Sequence, residues 1–191
     1  MINPSRITNY DLDRYGLEEN MLFWLLVAGK TAHVVARQLE NILLDICDVP
    51  RKPFQGFEKY SGELAPFLKR YGVGCHGLKA RGIRYLVYSQ IDLKRCSVDD
   101  LEAVPGVGPK TARCFLMHTR RECDHAGLDT HILKFMRDHL GIMDAPVGTP
   151  GSKKQYLKYE DMFINWAKTQ KGKTVAQLDL EIWNSYSRKV K

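Results

Sequence analysis

No stretch of this sequence is long and apolar enough to cross a bilayer. The longest run, MLFWLLVAG at 21–29, falls well short of the roughly 20 residues that a helical span needs. The opening MINPSRITNYDLDRYG lacks the apolar core of a secretion signal, so a cytoplasmic protein is expected. Cysteine is sparse: Cys47, Cys75, Cys96, Cys114 and Cys123 make no C-x-x-C pair and no regular spacing. That excludes a disulfide framework and points to thiols in a reducing compartment. Cys114, Cys123 and His125 are the nearest thing to a zinc-ligand group, and no second pair completes it. Alternating strand patterns, repeats and low-complexity tails are also missing. Acidic residues are in deficit, 22 against 29 Lys and Arg, for a formal charge of +7. This balance favours an anionic partner, nucleic acid first.

What is present is helical texture nearly throughout, and the expected class is all-α. Met21, Leu25, Ala28, Ala32, Val35, Leu39 and Ile42 recur at helical spacing. Gly29 interrupts them and Thr31 can cap a second helix, so two helices should meet at AGKT. GELAPFLKRYG (62–72) and GLKARGIRYLVYS (77–89) predict two more helices around the glycine-rich GVGCHG. SVDDLEAV (97–104) opens on a capping box of Ser97 and Asp100. Asp129 should cap the helix of GLDTHILKFMRDHLG, which Gly141 ends. A Pro/Gly-rich loop follows at 142–152. YLKYEDMFINWAKTQ (156–170) and a helix starting at Thr174, with Gln177 as its box partner, complete the chain. On that last helix Leu180, Trp183 and Tyr186 should face the core.

The most informative stretch is AVPGVGPKTARCF, 103–115. A helix, a Gly-x-Gly hairpin and a second helix starting at Pro109 make a sequence-independent grip on a DNA backbone. Gly106 and Gly108 carry no side chain to block a phosphate. Their N–H groups, with the positive end of the following helix, form an anion site. Val104, Gly106, Val107, Gly108 and Thr111 are the expected contacts with the DNA backbone. The turn's carbonyls can hold a monovalent cation that bridges to a phosphate. Lys110 sits second in its helix, where desolvation and the helix N-terminus favour the neutral amine that a nucleophile requires.

LEAVPGVGPKTARCFL followed by GLDTHILKFMRDHLG resembles the signature of the helix-hairpin-helix DNA glycosylase superfamily, which includes endonuclease III and the 8-oxoguanine glycosylases. The match runs from Val104 to Ala112 and from Leu128 to Ile132, with LLVAGKTAHVVARQL and GCHGLKARGI resembling earlier family segments. The resemblance implies a bifunctional DNA glycosylase/AP lyase whose partner is duplex DNA: a nucleotide with an oxidised or modified base, 8-oxoguanine-type or oxidised pyrimidine, is flipped out and its N-glycosidic bond is cleaved. It implies Lys110 as the nucleophile at C1′, forming a Schiff base that leads to strand nicking by β-elimination. Asp129 would assist deprotonation and stabilise the oxocarbenium charge, besides capping its helix. His131 is read as a packing residue, and Lys134 and Arg137 as phosphate contacts or solvated charges.

The sequence departs from the family pattern in two places. No cysteine follows Cys123, so the four-cysteine iron–sulfur cluster of the endonuclease III branch is not expected. LDLEIWNSYSRKVK resembles the lysine-terminated end of archaeal-type 8-oxoguanine glycosylases. Where a polar gap-filling side chain is expected, Gly29 stands. Lys30 or His76 would have to serve, and Trp24, Trp166 or Trp183 could stack on a flipped base. The expected architecture is two-lobed: residues 21–125 as one lobe, 1–20 with 126–191 as the other, and Lys110 facing Asp129 across a DNA-binding cleft. The protein is expected to be a monomer. Two other functions share these features: phage-type base hypermodification on the same fold, and a non-catalytic helix-hairpin-helix DNA binder. Retention of both Lys110 and Asp129 favours the enzyme.

Overall fold

The computed structural model describes residues 1–48 and 51–187. Those residues form helices and connecting turns, with no strand among them. After a 3-10 turn at Pro4–Arg6, the order is α1 Arg14–Val27, α2 Ala32–Ile46, α3 Pro53–Lys59, α4 Leu64–Arg70, α5 His76–Tyr88, α6 Val98–Glu102, α7 Pro109–Thr119, α8 Thr130–Leu140, α9 Lys153–Thr169 and α10 Val175–Ser187. The all-α expectation holds.

The chain divides into two compact units. Met1–Ile7 and Asp11–Ala112 form the first, and Thr8–Tyr10 with Arg113–Lys191 the second. These units do not follow the boundary drawn from the sequence at 125/126. The division falls inside α7, and most of the N-terminal segment packs with the first unit.

In the first unit, residues 28–31 join α1 to α2 as expected, but Thr31 occupies the N-cap position without making a side-chain cap bond, and α5 packs on α3 and α4. Met21, Leu22, Leu25, Leu39, Ile42, Phe67 and Ile83 supply its core. Helix α3 was not legible in the sequence because its start is stabilised from far away. The buried Glu18 carboxylate accepts the Phe54 N–H at 3.0 Å and pairs with Arg14 at 3.0 Å. Lys79 performs a similar task at the other end of α1. It is buried on α5, and its ammonium donates to the Leu26 carbonyl, a cation placed where the helix dipole favours one. This fixes the turn that carries Lys30.

The second unit has one contiguous core of Ala126, Leu128, Leu133, Met136, Tyr156 and Phe163 with their neighbours. Three helix starts follow local capping rules. Asp129 caps α8, Ser152 caps α9, and Thr174 and Gln177 exchange both capping-box bonds at α10. The buried face of α10 is Ala176, Leu178, Asp179, Ile182 and Tyr186. Leu180 and Trp183, expected on the core side, are only half-buried. The ending resembling archaeal-type enzymes extends past Ser187 into residues outside those described.

Candidate active site

The capping box at Ser97 and Asp100 forms as expected and starts the short helix leading into the hairpin. Val104 N–H donates to Leu101 C=O, and Val107 N–H donates to Val104 C=O, each at 3.0 Å. Gly106 turns the chain with φ +87°, a conformation that a side chain would strain. Gly108 C=O accepts the Ala112 N–H at 3.1 Å and so opens α7. The side chains of Val104 and Val107 are buried, as is Thr111. Any contact the two valines make with a phosphate must therefore pass through main-chain atoms. Lys110 follows at the second position of α7, half-buried.

Two neighbouring turns of the first unit complete this face. Lys30 is exposed, and its side chain lies along Gly74, where an added Cβ would meet Lys30 Cε at 2.3 Å. Cys75 is exposed and left-handed, φ +52°, at the start of α5, with His76 next to it. The hairpin seats on α5: a Cβ at Gly82 would lie 2.3 Å from the Pro105 carbonyl oxygen, and one at Gly106 3.3 Å from Leu78. Trp24 is half-buried and packs edge-on against Phe23 at 5.3 Å, which gives it a packing role.

Asp129 lies in the second unit. Its Oδ1 accepts from both His131 N–H, 2.8 Å, and Ile132 N–H, 2.9 Å. One oxygen makes the whole cap, so Oδ2 is not spent on it. The backbone leading to Asp129 is held by side chains that sequence reasoning missed. Tyr156 Oη accepts the Leu128 N–H at 2.9 Å and donates to the Ala126 carbonyl at 2.8 Å. Glu160 accepts the Ala126 N–H at 2.9 Å, and Thr149 donates to the Leu128 carbonyl at 3.0 Å. Buried main-chain groups outside regular structure need such partners. The one sequence signal was Glu160 itself, a carboxylate on the apolar stripe of Tyr156, Phe163 and Ala167.

Burial pushes the Glu160 carboxyl up, yet hydrogen bonds from His125, the Ala126 N–H and Arg113 outweigh it and hold it below the usual glutamate value. Arg113 also lies over the Tyr156 ring at 4.8 Å. His131 stands 6.4 Å from the rings of both Trp183 and Tyr186, a packing environment. Lys134 pairs with Asp138 at 2.9 Å, and Arg137 donates to the Ala145 and Pro146 carbonyls. Among the described residues no group of three or more His, Cys, Asp or Glu is placed to hold a metal ion. No described helix is long and apolar enough to cross a membrane.

The helix-hairpin-helix motif family matches residues 91–116. A curated relative, the 8-oxoguanine DNA glycosylase/AP lyase of Thermotoga sp. (strain RQ2), is 39% identical over 85 residues. That match covers 44% of this chain and 39% of the relative, about two fifths of the relative's length. The crystal structure of the Thermotoga maritima 8-oxoguanine DNA glycosylase superposes with a TM-score of 0.68 at 26% identity, covering 90% of this chain and 79% of that one. The Methanocaldococcus jannaschii 8-oxoguanine glycosylase/lyase, solved with a 15mer DNA containing 8-oxoguanine, has the same fold. Its TM-score is 0.70 at 22% identity, with coverage of 95% and 85%.

Proposed function

We propose that the chain is a member of the helix-hairpin-helix DNA glycosylase superfamily, on its match to the helix-hairpin-helix motif and its similarity to 8-oxoguanine glycosylases, and that it is a bifunctional DNA glycosylase/AP lyase acting on an 8-oxoguanine-type base in duplex DNA. The observation that carries the proposal is the local setting of two residues. Lys110 follows the hairpin directly at the start of α7, and Asp129 caps α8 through one carboxylate oxygen while the other stays out of the cap.

In the proposed reaction the hairpin main chain holds the sugar-phosphate backbone next to Lys110, so that binding positions the amine. Asp129 takes a proton from the Lys110 ammonium, and the neutral amine attacks C1′ of the flipped nucleotide. The C1′–N bond breaks, its electron pair leaves with the base, and Asp129 passes the proton it took from Lys110 to the departing base, becoming a carboxylate again. The carboxylate at Asp129 stabilises the positive charge that develops on the sugar. Ring opening of the C1′ aminal gives a Schiff base between C1′ and the Lys110 nitrogen. Loss of a C2′ proton and of the 3′-phosphate then nicks the strand, and water releases the enzyme from the imine.

Two accessory roles belong to the same reading. Lys30, exposed on its turn, fills the gap left by the flipped base, with His76 beside it. The hairpin carbonyls, each with a lone pair beyond those used in the turn, hold a monovalent cation against a backbone phosphate.

Borohydride trapping tests the proposal. Duplexes carrying 8-oxoguanine, oxidised pyrimidine, uracil or an abasic site are incubated with the protein and reductant. A covalent adduct on the 8-oxoguanine and abasic duplexes that disappears in Lys110→Gln is the expected result. Absence of any adduct, with duplex binding retained, would leave a binder or a different base chemistry.

A further inference from the structure

Helix α5 contains no acidic residue between His76 and Tyr88, and its charged side chains are Lys79, Arg81 and Arg84. Lys79 points inward to the Leu26 carbonyl, while Arg81 and Arg84 are exposed. The hairpin marks one side of this helix, because Pro105 and Gly106 press on Gly82 and Leu78, residues one turn apart. With about 100° per residue, Tyr85 lies about 40° and Arg81 about 80° from that contact line, whereas Arg84 lies about 140° round the helix. Arg84 instead lines a cavity of about 250 Å³ with Phe57, Tyr60 and Leu64. Leu78 and Tyr85 are each 40% exposed.

We propose that Leu78, Arg81 and Tyr85, spaced i, i+3 and i+7 on α5, form a second contact with duplex DNA, continuous with the hairpin and directed at the sugar-phosphate backbone. The chemistry matches the occupant. A guanidinium on a helix face without carboxylates suits a phosphate, and an exposed leucine and tyrosine on either side suit the apolar faces of deoxyribose. The contact rests on the hairpin being a DNA grip, since it extends that surface along α5. Its energetic signature is electrostatic and independent of base identity, because phosphate contacts position a protein without reading sequence.

The experiment measures binding of the full chain to an undamaged duplex by fluorescence anisotropy across about 50–200 mM salt, where each neutralised phosphate contributes about 0.9 to the slope of log K against log salt. Arg81→Gln is expected to lower the slope by about 0.9 and weaken binding. Arg84→Gln, on the cavity side, is expected to leave the slope unchanged. Leu78→Ala and Tyr85→Ala should weaken binding without changing it. Gly108→Asp probes the hairpin separately: a Cβ there meets nothing within 4 Å and φ is not positive, so the fold accepts it while its carboxylate repels a phosphate. Circular dichroism and thermal melting establish that each variant is folded. If Gly108→Asp loses binding but Arg81→Gln keeps the wild-type slope, the α5 contact is overturned and the hairpin grip stands. Equal slope losses in Arg81→Gln and Arg84→Gln also overturn it, since unspecific charge would then explain the binding. Wild-type behaviour in both Gly108→Asp and Arg81→Gln overturns the hairpin reading and the α5 contact together.

Discussion

Arg113 and Glu160 form an ion pair with side chains only 3% and 4% exposed, the guanidinium Nε standing 2.8 Å from both carboxylate oxygens. The pair joins α7 to α9, and the same carboxylate holds the Ala126 N–H. Glu160→Gln should cost about 3–5 kcal/mol, because it leaves a buried guanidinium without its counter-charge. The sign of the pH effect follows from the lowered carboxyl. The folded protein binds this proton less tightly than the unfolded chain, so the stabilisation is present above pH 4.5, the ordinary glutamate value, and is lost as pH falls through the lower folded value. Urea unfolding across acidic pH should show that loss in the wild type and its absence in Glu160→Gln.

Asp129→Asn separates the cap from the chemistry. Asparagine caps a helix about as well as aspartate, so the melting temperature and duplex affinity should change little. Base release under single-turnover conditions should slow about 10²-fold or more. A variant that unfolds instead would assign the residue to the cap alone.

Gly127 offers a test of packing just before Asp129. An added Cβ would lie 2.2 Å from the Cys114 sulfur, so Gly127→Ala should destabilise by about 1–3 kcal/mol. Cys114→Ala removes that sulfur. The double variant should therefore be more stable than the two separate losses add up to, a coupling that a double-mutant cycle of denaturant unfolding measures.

Lys79 reports on the α1 turn. Burial lowers its pKa below the ordinary 10.5; the charge of Lys30 adds to this and Cys75 opposes it. The unfolded chain binds this proton more tightly than the folded one, so stability should rise with pH as it climbs through the folded value towards 10.5. Relative to Lys79→Met, the wild type should gain stability as pH climbs through the lowered folded value and should level off above 10.5. Parallel curves for the two proteins would contradict a desolvated ammonium.

What the sequence disclosed is what depends on near neighbours. The capping boxes at Ser97 and Thr174 and the Asp129 cap join residues two or three apart, and those helix starts are legible as spacing. The Gly-x-Gly hairpin is legible for the same reason. Glu18 capping α3 spans 36 positions, Lys79 to Leu26 spans 53, and Arg113 to Glu160 spans 47. No local pattern encodes such pairs, so α3 and the side chains holding the approach to Asp129 are visible only in the folded chain. The division of the chain escaped for a related reason: it falls within α7, and a continuous helix carries no Pro, Gly or polar break to mark it.

Among the described cysteines Cys75 alone is exposed. Cys96 and Cys114 are buried, and burial pushes the Cys47 thiol up and the Cys123 thiol to about 11. Thiols that stay protonated react slowly with alkylating reagents, so a brief maleimide treatment at neutral pH should modify the native chain at one position. That position adjoins Gly74 and Lys30, on the same unit as the hairpin. The protein thus carries its own attachment point for a fluorophore or spin label, and the proposed DNA engagement can be tested without introducing or deleting a single cysteine.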